Sequence, residues 1–231
     1  MTHFRDFGVQ PYLFPMPTYM IATYNEDDTV DAMAMAWGGI CAENMVALNL
    51  EEDHKTVDNL KARGAFTLSV PGVDTLVECD YMGTASAKQH ADKFQRTGLH
   101  AEKSSRVDAP VVLEWPLTLE CRVAEIQEQP YGIRVLGEIV NVLADEKILD
   151  EEGTIDSKKI RPFLFDQVKF DYFEVGEIVN VLADEKILDD EGKIDSKKIR
   201  PFLFDQVKFD YFEVGEICGK AWHSGAPLIK K

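Results

Sequence analysis

The chain has 231 residues, 45% of them hydrophobic and 29% charged, which suits one or two globular domains with a sizeable core. A formal charge of −16 argues against nucleic acid and against an anionic membrane surface as partners. No apolar run approaches the roughly 20 residues of a membrane span, and Met1-Thr2-His3-Phe4-Arg5-Asp6 lacks the apolar centre of a signal peptide, so a cytoplasmic location is expected. Cys41, Cys79, Cys121 and Cys218 are far apart and form no CxxC pair, which points to free thiols rather than a zinc site.

In chain order, Pro11, Pro15 and Pro17 with Tyr12 and Phe14 read as an extended lead-in strapped over the body. Tyr19–Tyr24 is predicted as the first strand, Asn25–Asp28 as a turn, with re-entry into a strand near Val30. The apolar run Met33–Ile40 ends in Trp37-Gly38-Gly39, and Met45–Leu50 alternates as a half-buried strand does. A helix is predicted next, capped by Asp53 or Thr56 and burying Val57 and Leu60 on one face. Ala65–Val70 is a further strand, stopped by Pro71. Two glycines after a tryptophan let backbone come close to a flat ligand. Lys55-Thr56 at a helix start offers charge, a hydroxyl and backbone N–H groups suited to a phosphate. A flat ring with a phosphate tail describes flavin mononucleotide (FMN), although a Gly-Gly turn taken alone is commonly only a turn.

Helical spacing returns over Val73–Tyr81. Residues 95–109 are polar and read as a surface loop with a short strand. Leu117–Val123 is predicted as a strand, Gln127–Gly132 as a turn, and Ile133–Leu143 as the returning partner of that hairpin.

From Gly137 the chain repeats itself. Gly137–Val175 recurs as Gly176–Val214, differing only at Glu151/Asp190 and Thr154/Lys193. Two copies are too few for a solenoid. Each copy is predicted to hold a strand (Gly137–Leu143), an acidic loop, a short helix (Ser157–Phe165) and a second strand (Tyr172–Val175). One single-domain unit, 1–231, with 137–175 and 176–214 as tandem copies, is the expected organisation. Strands Ile133–Leu143 and Tyr211–Trp222 are expected in the barrel, with the hybrid strand Tyr172–Ala183 and one helical copy left over.

The series Ala36-Trp37-Gly38-Gly39-Ile40-Cys41, then His54-Lys55-Thr56 with Asn59-Leu60, then Phe66–Val70, resembles the flavin reductase-like proteins, the flavoredoxin type in particular. The resemblance implies a mainly β fold with short helices: an antiparallel, Greek-key split β-barrel that binds FMN. It implies Trp37 near the ring with Ala36, and Gly38, Gly39, Ile40 and Cys41 presenting backbone donors to the ring's polar edge. It further implies Lys55 and Thr56 on the phosphate with Asn59 close by, Ser86 and Lys93 facing the flavin, and Phe165 or its twin Phe204 closing the pocket. Taken alone, Ser86 reads as a helix cap and Lys93 as a solvated charge. A homodimer with FMN at the subunit interface is also implied.

His3, His54, His90, His100 and His223 read as surface residues; no nucleophile–base pair, metal cluster, GxGxxG or P-loop stands out. The redox chemistry would then belong to the flavin, with the protein holding and tuning it. Three functions remain open: a flavin reductase using NADH or NADPH, an electron carrier with tightly held FMN and a protein redox partner, and a barrel binding another ligand without redox chemistry.

Overall fold

The computed structural model describes residues 4–175, together with the backbone of Phe202–Phe204 and Tyr211–Lys220. Its strands are β1 (Met16–Pro17), β2 (Tyr19–Tyr24), β3 (Val30–Met35), β4 (Gly38–Ala42), β5 (Met45–Leu50), β6 (Ala65–Val70), β7 (Ala101–Lys103), β8 (Pro110–Val112), β9 (Leu117–Gln129), β10 (Gly132–Ala144), β11 (Phe163–Asp166), β12 (Asp171–Val175), β13 (Phe202–Phe204) and β14 (Tyr211–Lys220). The helices are α1 (Lys55–Arg63), α2 (Leu76–Thr84), α3 (Lys93–Thr97) and the single turn α4 (Ser157–Ile160).

The main sheet runs β3-β2-β6-β9-β10-β5-β4, and every pairing within it is antiparallel. Its two edge strands, β3 and β4, are consecutive in the chain and joined only by Ala36-Trp37. The sheet therefore curls until its edges stand two residues apart without a ladder between them, the geometry of a split barrel. Asn49 of β5 ties this link down: its backbone N (2.9 Å) and its Nδ2 (3.0 Å) both donate to the Trp37 carbonyl.

The barrel interior follows from strand alternation. Ile21, Phe66, Leu68, Val46, Leu48, Ile133 and Val135 point inward and meet Val57 and Leu60 of α1. Gly137 belongs to this packing, since a Cβ there would lie 2.4 Å from Cζ of the fully buried Phe66. A second core packs α2 and α3 against Phe163, Phe165 and Tyr172 of the smaller sheet.

That smaller sheet, β1-β11-β12-β14-β13, takes Tyr211–Lys220, which was expected in the barrel, and carries two further corrections. The helix predicted over Ser157–Phe165 is one turn long, and Phe163–Asp166 is a strand. Pro162 disfavours the helical region for Arg161, which takes a left-handed conformation (φ 51°), and the chain leaves as a strand. Second, Asp171–Val175, the start of the strand expected to be left over, lies between β11 and β14. The two copies form hairpins in the same register: Phe163 faces Glu174 as Phe202 faces Glu213, and Val175 faces its own equivalent, Val214. The continuation to Ala183, the end of the last strand at Trp222, and the side chains of Phe204 and Cys218 lie outside the described residues.

Candidate functional site

A cavity of about 600 Å³ opens at the split of the barrel. One wall is the end of β3 with its link, Met33 to Trp37; the other is Asn49, Leu50 and Glu51 with His54, completed by Tyr131, Gly132 and Ile133. The register of β10 on β5 brings the last group there, because Ile133 pairs with Leu50. The volume falls in the range of small-molecule sites, and the lining is mainly apolar. Trp37 is 51% exposed and lines the cavity, so it leaves a large aromatic residue open beside it.

Helix α1 begins at the rim. Its N-cap is His54, which lines the cavity, and no side chain caps it; the expected cap by Asp53 or Thr56 is replaced by extended backbone at His54. The helix start, with half-buried Lys55 beside it, offers partial positive charge at the cavity edge. Glu51 and Asp53 are exposed alongside, and His54 Nε2 lies 3.9 Å from Glu51 Oε2.

The other expected site residues divide by what they touch. Thr56 is buried and its hydroxyl donates to Asp31 Oδ2 at 2.9 Å, so that hydrogen is not available to a phosphate. Asn59 is buried, and its Nδ2 donates to Thr23 Oγ1 (3.0 Å) and Asn25 Oδ1 (2.9 Å), fastening α1 to the turn after β2. Lys93 is 4% exposed: its Nζ lies 3.3 Å from Asp31 Oδ1 and donates to the carbonyls of Ala85 (3.2 Å) and Met82 (3.4 Å). Burial pulls the Lys93 pKa below the ordinary lysine value, and Asp31 pushes it part of the way back. Asp31, Thr56 and Lys93 thus form a buried scaffold behind the start of α1. Ser86 is exposed, its Oγ accepting from the Lys88 N–H at 3.3 Å, and it lines no part of the cavity. Gly38 and Gly39 pair with Leu48 and Ala47 on the edge strand, whose Ile40 and Cys41 are exposed. Phe165 packs in the second core against Phe170 and Tyr172, both at 6.0 Å between ring centroids, rather than over the cavity.

The cavity therefore joins Ala36, Trp37 and the start of α1. Sequence reasoning missed Met33, Asn49, Glu51 and the Tyr131–Ile133 wall. Asn49 carried a faint signal as a polar residue in an otherwise apolar strand. Tyr131 carried none, since a strand pairing distant in sequence places it.

The thiols differ sharply. Burial pushes the Cys79 and Cys121 thiols up to about 12, whereas Cys41 is exposed on the edge strand. Brief iodoacetamide treatment of the folded protein at pH 8 is expected to alkylate Cys41 and to spare Cys79 and Cys121; peptide mass spectrometry reads the result, and labelling of either buried thiol at the rate of Cys41 would contradict the packing described.

Comparison with known proteins points the same way. The Flavin reductase like domain matches residues 12–173. The structure is similar to flavoredoxin of Desulfovibrio vulgaris (Miyazaki F), 32% identical with a TM-score of 0.71 over 76% of this chain and 95% of that one. It is similar in fold to flavoredoxin from Methanosarcina acetivorans, 24% identical with a TM-score of 0.67 over 79% of this chain and 98% of that one. An uncharacterized protein of Archaeoglobus fulgidus is 25% identical over 147 residues, covering 64% of this chain and 82% of its relative.

Proposed function

This chain belongs to the flavin reductase-like domain family, and from that premise we propose that it is an FMN-binding flavoprotein that takes a hydride from NADH or NADPH. The observation that carries the reading is the cavity at the barrel split, with Trp37 in its lining and the start of α1 at its rim. Its volume and apolar wall suit an isoalloxazine ring. Bound there, FMN supplies the capacity to accept a hydride and pass electrons on.

The protein's own residues hold and orient. Trp37 and Ala36, which line the cavity, would hold the flavin ring, and Asn49 fixes the Trp37 backbone by two hydrogen bonds. Lys55 and the N–H groups at the start of α1 hold the phosphate. Thr56, Asn59 and Lys93 act one layer back, locking α1 to β2 and β3 through Thr23, Asn25 and Asp31. Met33 and Ile133 close the apolar wall against water. A second copy of the chain would cover the edge strand β4, where Ile40 is 55% exposed, and so place the flavin at a subunit interface. Among the described residues no helix is long and apolar enough to cross a membrane, and we place the protein in the cytoplasm.

A second reading has its own support: the likeness to flavoredoxin at 32% identity favours an electron carrier that keeps its FMN and docks a protein partner. One experiment separates the two. The purified protein is expected to be yellow with a flavin spectrum. Anaerobic mixing with NADH or NADPH is expected to bleach it directly. A yellow protein left oxidised by both nicotinamides would favour the carrier; a colourless protein that takes up no FMN would contradict both.

A further inference from the structure

A second cavity, of about 470 Å³, adjoins the first at Trp37. It shares Ala36, Trp37 and Asn49 with the first, and its outer wall is the N-terminal lead-in. That wall is anchored at several points. Met16 and Pro17 pair with Phe165 and Leu164, and Phe14 packs edge-on against Phe173 at 5.6 Å. The inner end of the lead-in is therefore held to the body before any ligand arrives, while the Leu13 N–H donates to the Pro11 carbonyl at 2.8 Å within the exposed outer part.

The chemistry of the lining is specific. In a chain that is 29% charged, no Asp, Glu, Lys, Arg or His among the described residues lines this cavity. Tyr12, Leu13, Met16 and Trp37 give apolar and aromatic surface, and the amides of Gln10 and Asn49 are its polar side chains apart from the Tyr12 hydroxyl. A nicotinamide dinucleotide brings phosphates that no cation here would meet, and burying an unpaired charge is costly. An uncharged flat ring with carbonyl acceptors meets apolar walls and amide donors.

We propose that this second cavity binds a quinone, placed next to the flavin at Trp37 as its electron acceptor; this rests on the FMN reading above. In that pairing, reduced flavin gives up two electrons and two protons, the flavin returns to its oxidised form, and the quinone leaves as a hydroquinone with both carbonyl oxygens converted to hydroxyls. Leu13 lines only this cavity and is 71% exposed, so its replacement tests the site without disturbing the core or the flavin wall.

The probe is duroquinone, whose ring carries no position open to addition of the exposed Cys41 thiol. Its binding is measured by equilibrium dialysis on the FMN-loaded protein and on the same protein stripped of flavin, alongside an FMN titration. Wild type and Leu13→Met are expected to bind duroquinone in both states. Leu13→Asp is expected to weaken it about tenfold or more, as a carboxylate is forced beside a neutral ring, while FMN affinity stays within about twofold. Absence of duroquinone binding, equal binding by Leu13→Asp, or displacement of duroquinone by NADH would overturn the assignment. If Leu13-dependent duroquinone binding persists in a protein that takes up no FMN, the cavity assignment stands and the flavin reading fails. If FMN binds and duroquinone does not, the reverse holds.

Discussion

Replacing Lys93 with alanine is expected to destabilise the fold by about 3–5 kcal/mol, the usual effect of leaving one partner of a buried ion pair uncompensated. Asp31 is 1% exposed, and without Lys93 its carboxylate keeps, among the described residues, only the Thr56 hydroxyl. The carbonyls of Ala85 and Met82 lose a donor in the same step. The cost lies in the orphaned charge and not in the net worth of the pair. Asp31→Asn combined with Lys93→Met should therefore recover most of the loss. Urea unfolding of wild type and the two variants measures this; a loss in Lys93→Ala below about 1 kcal/mol, the range of an exposed pair, would contradict the buried geometry. The sign of the pH effect follows from the depressed Lys93 pKa. Between that lowered value and the ordinary lysine value the unfolded chain holds the proton more often. The penalty for burying charged Lys93 is full below the folded pKa and is relieved as pH rises through that window.

Gly38→Ala is expected to weaken FMN binding at least tenfold and to cost about 1–3 kcal/mol of stability, as overpacking does. A Cβ at Gly38 would lie 2.5 Å from the Ala47 carbonyl oxygen and 2.7 Å from Met35 Sδ. The Met35 side chain can move, but the Ala47 carbonyl belongs to β5, which is paired on its other side to β10. The edge strand must then peel away, and with it moves Trp37, the wall common to both cavities. Cys41→Ala on the exposed end of the same strand should leave both quantities unchanged. Flavin fluorescence titration and thermal unfolding read the two effects; a Gly38→Ala protein with normal FMN affinity would separate the strand from the site.

Where the structure rests on local pattern, the sequence was legible. Strands Tyr19–Tyr24, Met45–Leu50 and Ala65–Val70 have the predicted bounds, because alternation and flanking turn residues are written in neighbouring positions. The hairpin strand predicted as Leu117–Val123 runs on to Gln129, since its polar end is held by pairing to β10 and not by its own composition. Phe163–Asp166 was misread because a short apolar run does not distinguish strand from helix; its pairing with β1 and β12 decides. The candidate site divides along the same line. The turn at Trp37 and the helix start at Lys55 were legible as local structure. Whether Thr56, Asn59 and Lys93 face a ligand or the interior depends on Asp31, Thr23 and Asn25, which only the folded chain brings to them.

The central claim is that a flavin lies in the cavity at the barrel split with its phosphate toward Lys55. Titrating FMN and riboflavin into flavin-free protein, for wild type and for Lys55→Ala, tests it most directly, because the two ligands differ only by the phosphate. A charge-assisted contact is worth about 1.5–3 kcal/mol, so wild type should prefer FMN by at least about tenfold, and Lys55→Ala should lose most of that preference, keeping only the share of the helix-start N–H groups, with its affinity for riboflavin unchanged. Equal affinity of wild type for the two flavins, or a preference for FMN undiminished in Lys55→Ala, would put the phosphate elsewhere and contradict the site.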